Sequence, residues 1–217
     1  NTVDTIGNHD AFRIGTGTIA HGTVDCLVQD CEAYNVRRGA AGFNANSAAF
    51  KIYAPTRLTI EHCLMVNCDT GIYDKFQTSF DSVHRRNIIR DCRVPFYTSH
   101  VPWTRARIYE NICTGYDTSG FVTDLGQGQW LDDVRFYNNV FYTTAQPSDD
   151  LFVMRGLTQP STCQVYNNII YMSGAKKFIR YELTTNPTLH NYNCFQTTFN
   201  AIRHGTSYAS LAAWRAA

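Results

Sequence analysis

Charged residues are scarce in this 217-residue chain: Asp, Glu, Lys and Arg together make up 17%, where globular proteins carry about 25%. Nineteen Lys plus Arg against eighteen Asp plus Glu leave a net charge of +1. No global field therefore draws in nucleic acid or an anionic membrane, and a charged ligand has to be held locally. Long apolar runs are missing as well. None reaches the roughly 18 to 20 residues of a membrane span, and no charged, apolar, small-residue leader opens the chain. The Walker, H-E-x-x-H, G-x-S-x-G, EF-hand and N-x-S/T patterns are absent too, which speaks against the enzyme classes they mark. The sequence reads as one soluble domain over residues 1–217. It begins at Asn1 and stops within the helical-looking Ser210-Leu211-Ala212-Ala213-Trp214, so both ends are expected to be cut.

What the chain does have is a returning phrase, an Asn or Cys followed by two or three apolar residues. Its copies are anchored at Cys26, Cys63, Asn87, Asn111, Asn139, Asn168 and Asn193. A second row, Phe12, Phe50, Ile72, Phe96, Phe121, Phe152 and Phe178, lengthens and shortens with the first. A step near 25 residues with loop insertions is the signature of a solenoid. Period-2 alternation and the Val, Ile, Tyr, Phe and Thr content predict about three short strands per repeat. Asn suits a tight bend, because it tolerates left-handed backbone and its amide can pair with the Asn above it.

These features resemble the right-handed parallel β-helix of the pectate-lyase-like superfamily. Val134-Arg135-Phe136-Tyr137-Asn138-Asn139-Val140-Phe141 and Val165-Tyr166-Asn167-Asn168-Ile169-Ile170 look like its repeat. The resemblance covers roughly residues 10–200 and implies an all-β fold of about seven coils. Residues 207–217 are expected to form a short C-terminal helix or cap. Fold alone does not give activity, since lyases, hydrolases, epimerases, spikes and adhesins share this one.

Eight cysteines are too few for a disulfide scaffold. In the repeat register Cys31, Cys68 and Cys92 are expected to stack, as are Cys26 and Cys63, giving an interior row of free thiols. The C-x4-C pairs could also supply thiolates to zinc, the lesser reading. Gly15-Thr16-Gly17-Thr18-Ile19-Ala20 matches a dinucleotide fingerprint on paper, but no helix start follows it, so it reads as a coil turn.

Side chains alternate along a strand. With the Phe row inward, one outward row is Arg13, Lys51, Tyr73, Tyr97, Val122, Val153 and Ile179. The other is Gly15, Tyr53, Lys75, Ser99, Asp124, Arg155 and Tyr181. Among relatives of this fold the substrate groove runs along the corresponding sheet, so the resemblance implies a polysaccharide bound there. The chemistry suited to these groups is β-elimination from an acidic, uronic-acid glycan: a base takes the proton beside the carboxylate, a cation neutralises that carboxylate, and an acid protonates the leaving oxygen. Lys75 or His100 is the candidate base, Arg155 or Arg105 the neutraliser, and Tyr97 or Tyr181 the proton donor, with Tyr73, Arg105, Asp124 and Tyr181 touching substrate. Ca²⁺ could replace the arginine on Asp117, Asp124, Asp149 and Asp150. A hydrolase would need two carboxyl groups facing one bond. Asp74, the nearest partner for Asp124, falls on the inward parity and is expected either to sit at a local bulge or to be buried and paired, with inward Arg180 as one candidate partner. The lyase reading implies a secreted or cell-surface protein. Its rival is a non-catalytic module that binds glycan or serves as a spike or structural segment.

Overall fold

The computed structural model describes residues 10–15, 24–37, 45–75, 79–99, 103–124, 131–145, 147–154, 162–173, 178–181, 189–195, 201–203, 206–208 and 213. One repeat shows why the chain winds as it does. Thr70–Lys75, Ser79–Phe80, Val83–Arg85 and Ile88–Arg90 are four strands separated by short bends. Each pairs in parallel with its counterpart in the next repeat. Repetition builds sheet 1 (nine strands), sheets 2 and 3 (seven strands each) and a narrow three-stranded sheet between sheets 1 and 2. The molecule is an all-β parallel β-solenoid.

The inward row of sheet 1 is Phe12, Phe50, Ile72, Phe96, Phe121 and Phe152, all in register. Phe136 of sheet 2 packs into that row, 4.7 Å from Phe121 and 5.3 Å from Phe152 between ring centres. Phe178 departs from the expected register. It is buried 5.6 Å from Phe152, but Ile179 is the residue that pairs with Phe152. Sequence spacing counts the residues of a coil without showing where the extra one sits.

The asparagine ladder is present. The Nδ2 groups of Asn87, Asn111, Asn139 and Asn168 each donate to the Oδ1 of the next anchor at 2.9–3.0 Å, ending on Asn193. The left-handed residue, however, is the one before each anchor: His62, Arg86, Glu110, Asn138, Asn167 and Tyr192 have φ of 53–56°. The anchors are Asn because a buried corner needs a side chain that both donates and accepts, not because the bend needs its backbone freedom.

The cysteine register also differs from expectation. Cys63 donates its backbone N–H to Asn87 Oδ1, so it sits on the ladder. Leu64 N–H bonds Cys31 O, which makes Cys31 its neighbour, while Cys26 stacks beneath Leu58 and Val36 beneath Cys68 and Cys92. All eight cysteines are free, five of them buried. At the far end Ala201–Arg203 pairs antiparallel with Thr206–Tyr208, which makes Thr206–Tyr208 the last strand of sheet 1 among the described residues. Ser207 and Tyr208 are thus in a strand; Ala213 is helical, and the rest of the expected helix lies outside the described residues. So does the dinucleotide-like stretch beyond Gly15.

Candidate functional site

Alternation turns Lys51, Tyr73, Tyr97, Val122 and Val153 outward from sheet 1, yet they are only 0–6% exposed. Ala48, Tyr73, Val94, Tyr97, Val122 and Val153 form a second apolar cluster outside the barrel, with Ala45 packed on it. A face this apolar is covered, as parallel sheets usually are on both sides. The expected open groove is therefore confined to the margin where Arg13 is exposed and Lys75 half-buried.

That margin is polar. Tyr73 Oη and Ser99 Oγ share a hydrogen bond of 2.5 Å. The Tyr97 ring meets Tyr73 edge-on at 5.0 Å, and Lys75 Nζ lies 5.6 Å from the Tyr73 ring centre. Asn46 ties down two amines, accepting from Lys75 on its side-chain oxygen and from Lys51 on its carbonyl. Lys51 also pairs with Asp10. Burial first, then the like charge of Lys51, lower the proton affinity of Lys75 below that of an ordinary lysine; Asp10 pulls the other way and Arg13 adds a smaller push, since desolvation and cationic neighbours favour the neutral amine and an anion the charged one.

Other expected site residues stand elsewhere or beyond description. Ser99 pairs with both Lys75 and Asp124 in register, so Asp124 belongs to the same end of sheet 1. His100 and Arg155 lie outside the described residues. Tyr181 pairs with Met154, and Arg180 with Val153, which puts Arg180 in the Tyr73–Tyr97 row and takes Tyr181 out of the Lys75 row. Arg105 is at another corner, its guanidinium spanning both oxygens of Asp81 at 2.6 and 2.8 Å. Asp25 and Arg57 repeat that pair along the same edge.

The four Ca²⁺ candidates divide. The turn at Asp117 stacks on the one at Asp149 through Ser148 N–H to Asp117 O, before the sheet 1 strands begin. Asp124 ends a strand that starts at Phe121, about 10 Å further along at 3.3 Å per residue. Asp149 and Asp150 both face Arg180, at 3.2 and 2.8 Å. Arg180 thus occupies carboxylate oxygens that a calcium ion at this pair would need. Among the described residues no group of three or more His, Cys, Asp or Glu is placed to hold a metal.

Asp74 is inward and buried, as its parity required, but its partner is the Trp103 indole N–H rather than Arg180. Burial pushes its carboxyl up to about 7, partly offset by the bonds from Trp103 and Ser79. Residues that sequence reasoning passed over are Lys51, Arg13 and Asn46. Row membership marks the first two; Asn46 precedes its strand and carries no periodic signal.

Compared with protein-family models, curated proteins and solved structures, the chain has no significant match.

Proposed function

We propose that this β-solenoid is a secreted or cell-surface carbohydrate-active protein of the pectate-lyase-like kind, cleaving an acidic polysaccharide by β-elimination. The observation that carries the reading is Lys75: a half-buried amine with lowered proton affinity, beside a phenol already hydrogen-bonded to a serine. The neutral amine takes the proton from the carbon next to the sugar carboxylate. Arg13, exposed at this margin, stabilises the charge that builds on that carboxylate. As the carbon–carbon double bond forms and the glycosidic C–O bond breaks, water at the margin protonates the leaving oxygen, because Tyr73 and Lys51 are only 3% exposed and brace Lys75 from beneath. Tyr97 holds the Tyr73 ring in place. Lys75 then returns its proton to solvent. His100, the alternative base, and Arg155, the alternative neutraliser, lie outside the described residues.

The test is ultraviolet absorbance of the unsaturated uronate product on pectate, alginate and glycosaminoglycans. Turnover on one of these, lost in Lys75→Ala with the dichroism spectrum unchanged, supports the reading. Unchanged absorbance across the panel overturns it.

One observation favours the rival reading as a structural or binding module. On sheet 3 the outward row Leu64, Ile88, Ile112, Val140 and Ile169 is a continuous aliphatic stripe, and Ile88, Ile112 and Ile169 are 45–57% exposed. Such a stripe marks a contact surface. Sedimentation that depends on concentration, together with a silent lyase panel, would favour the module.

A further inference from the structure

Inside the solenoid, one level differs from its neighbours. The residues Ile52, Leu58 and Ile60 of one coil are followed in the next by Asp74, Ser82 and His84, and then by Thr98, Ala106 and Ile108. The large aliphatic groups of the first coil thus give way to small or polar ones, and the four polar residues among them, Asp74, Ser82, His84 and Thr98, are 0–1% exposed. Trp103 fills part of the room, bonding Asp74 Oδ2 and lying 5.9 Å from the His84 ring. On the other side Phe96 reaches His84 at 6.5 Å. Thr98 is the next inward position on the Phe96 strand and pairs in register with Asp74.

Four atoms in this level have no protein partner: Asp74 Oδ1, Thr98 Oγ1 and both ring nitrogens of His84. Buried polar groups are almost always satisfied, and orphans in a native interior call for a bound partner. The set includes acceptors and donors, since a neutral imidazole offers one of each and a hydroxyl offers both. Water matches that mixture. A metal ion does not, because it would leave the donors unmet. A buried water needs two to four polar contacts; Asp74 and His84 both meet Trp103, and Thr98 stands beside Asp74 in register.

The geometry points to an internal hydration site in which ordered water molecules link Asp74, Thr98 and His84 within the solenoid.

Water oxygen-17 relaxation dispersion, which detects internal waters that exchange slowly, tests this with the isosteric Thr98→Val. If water fills the level, the wild-type signal falls in the variant and its melting temperature drops, because a bound water loses a partner. If the level is dry, the dispersion stays the same and the melting temperature rises, because an unpaired buried hydroxyl has been removed; that result overturns the proposal. Should Thr98→Val fail to fold, a high-resolution crystal structure of the unaltered chain decides. Water density within hydrogen-bond distance of Asp74 Oδ1 and His84 sustains the site, and a bare or metal-filled level refutes it.

Discussion

Replacing Asp74 with Asn should change how the solenoid's stability responds to pH, because Asp74 and His84 pull that response in opposite directions. Burial raises the Asp74 carboxyl from 3.8 to about 7 and lowers the His84 imidazole from 6.5 to about 3. At 1.36 kcal/mol per pH unit these correspond to about 4 and about 5 kcal/mol. For Asp74 the unfolded chain loses its proton near pH 4 while the folded one keeps it. Its contribution is complete below pH 3.8 and is lost as pH rises through 7. For His84 the unfolded chain gains a proton that the folded one refuses, so its contribution is complete above pH 6.5 and is lost as pH falls through 3. Between pH 4 and 6.5 the two slopes nearly cancel. Asp74→Asn keeps an acceptor for the Trp103 indole but removes the Asp74 slope. The variant should therefore gain about 4 kcal/mol relative to wild type as pH is raised from 4 to 7. Urea titrations read by circular dichroism at pH 4, 5, 6 and 7 give that difference directly. Parallel profiles for the two proteins would refute the reasoning.

Three further outcomes follow from the same coordinates. Asn139 donates to Ile108 O and Asn168 Oδ1 and accepts from Asn111, so Asn139→Ala should cost about 2–4 kcal/mol in denaturant unfolding, since buried groups lose their partners on both sides. Gly71 has no room for a side chain: a Cβ there would stand 2.6 Å from the Pro95 carbonyl oxygen and 2.9 Å from Ile89 Cγ2. Gly71→Ala should cost about 1–3 kcal/mol, read as a lower midpoint with an unchanged slope. In the pH–rate profile of the proposed lyase, the ascending limb should fall below the ordinary lysine value of 10.5. Lys51→Met should move it to higher pH, because it removes a neighbouring positive charge; an unmoved limb would take Lys75 out of the role of base.

How much of this was legible in the sequence depends on whether a feature repeats. The row from Phe12 to Phe152 and the Asn87-to-Asn193 ladder recur once per coil, so spacing places them, whereas Phe178 slips by one residue. Cys26 falls off the ladder because the first coil holds Cys31 rather than Asn at that position and so gives its phase no marker; the hydrogen bond from Leu64 to Cys31 is what settles it. Arg105 recurs too, in a corner series with Asp25, Arg57 and Asp81, but its pairing across coils shows only once the edge is assembled. The covered outer face of sheet 1 could not be read at all. Alternation says which way Tyr73 and Tyr97 point, not whether that side is open to solvent.

Asp74 shows how the legible and the hidden parts meet. Tyr73, Asp74 and Lys75 are consecutive on one strand, so the residue that parity sends inward lies next to the lysine that the proposed chemistry uses. While Asp74 holds its proton, Lys75 has no negative charge below it and its amine keeps the low proton affinity set by burial, Lys51 and Arg13. Once Asp74 ionises, near pH 7, a carboxylate appears across the strand in a medium of low dielectric, and Coulomb attraction raises the affinity of Lys75 for its proton. Asp74→Asn removes that attraction at every pH. The amine should then titrate at lower pH in the variant than in wild type, a shift that carbon-13 NMR of the lysine side chains can follow. Identical Lys75 titrations in the two proteins would show that the interior acid and the surface amine do not sense each other.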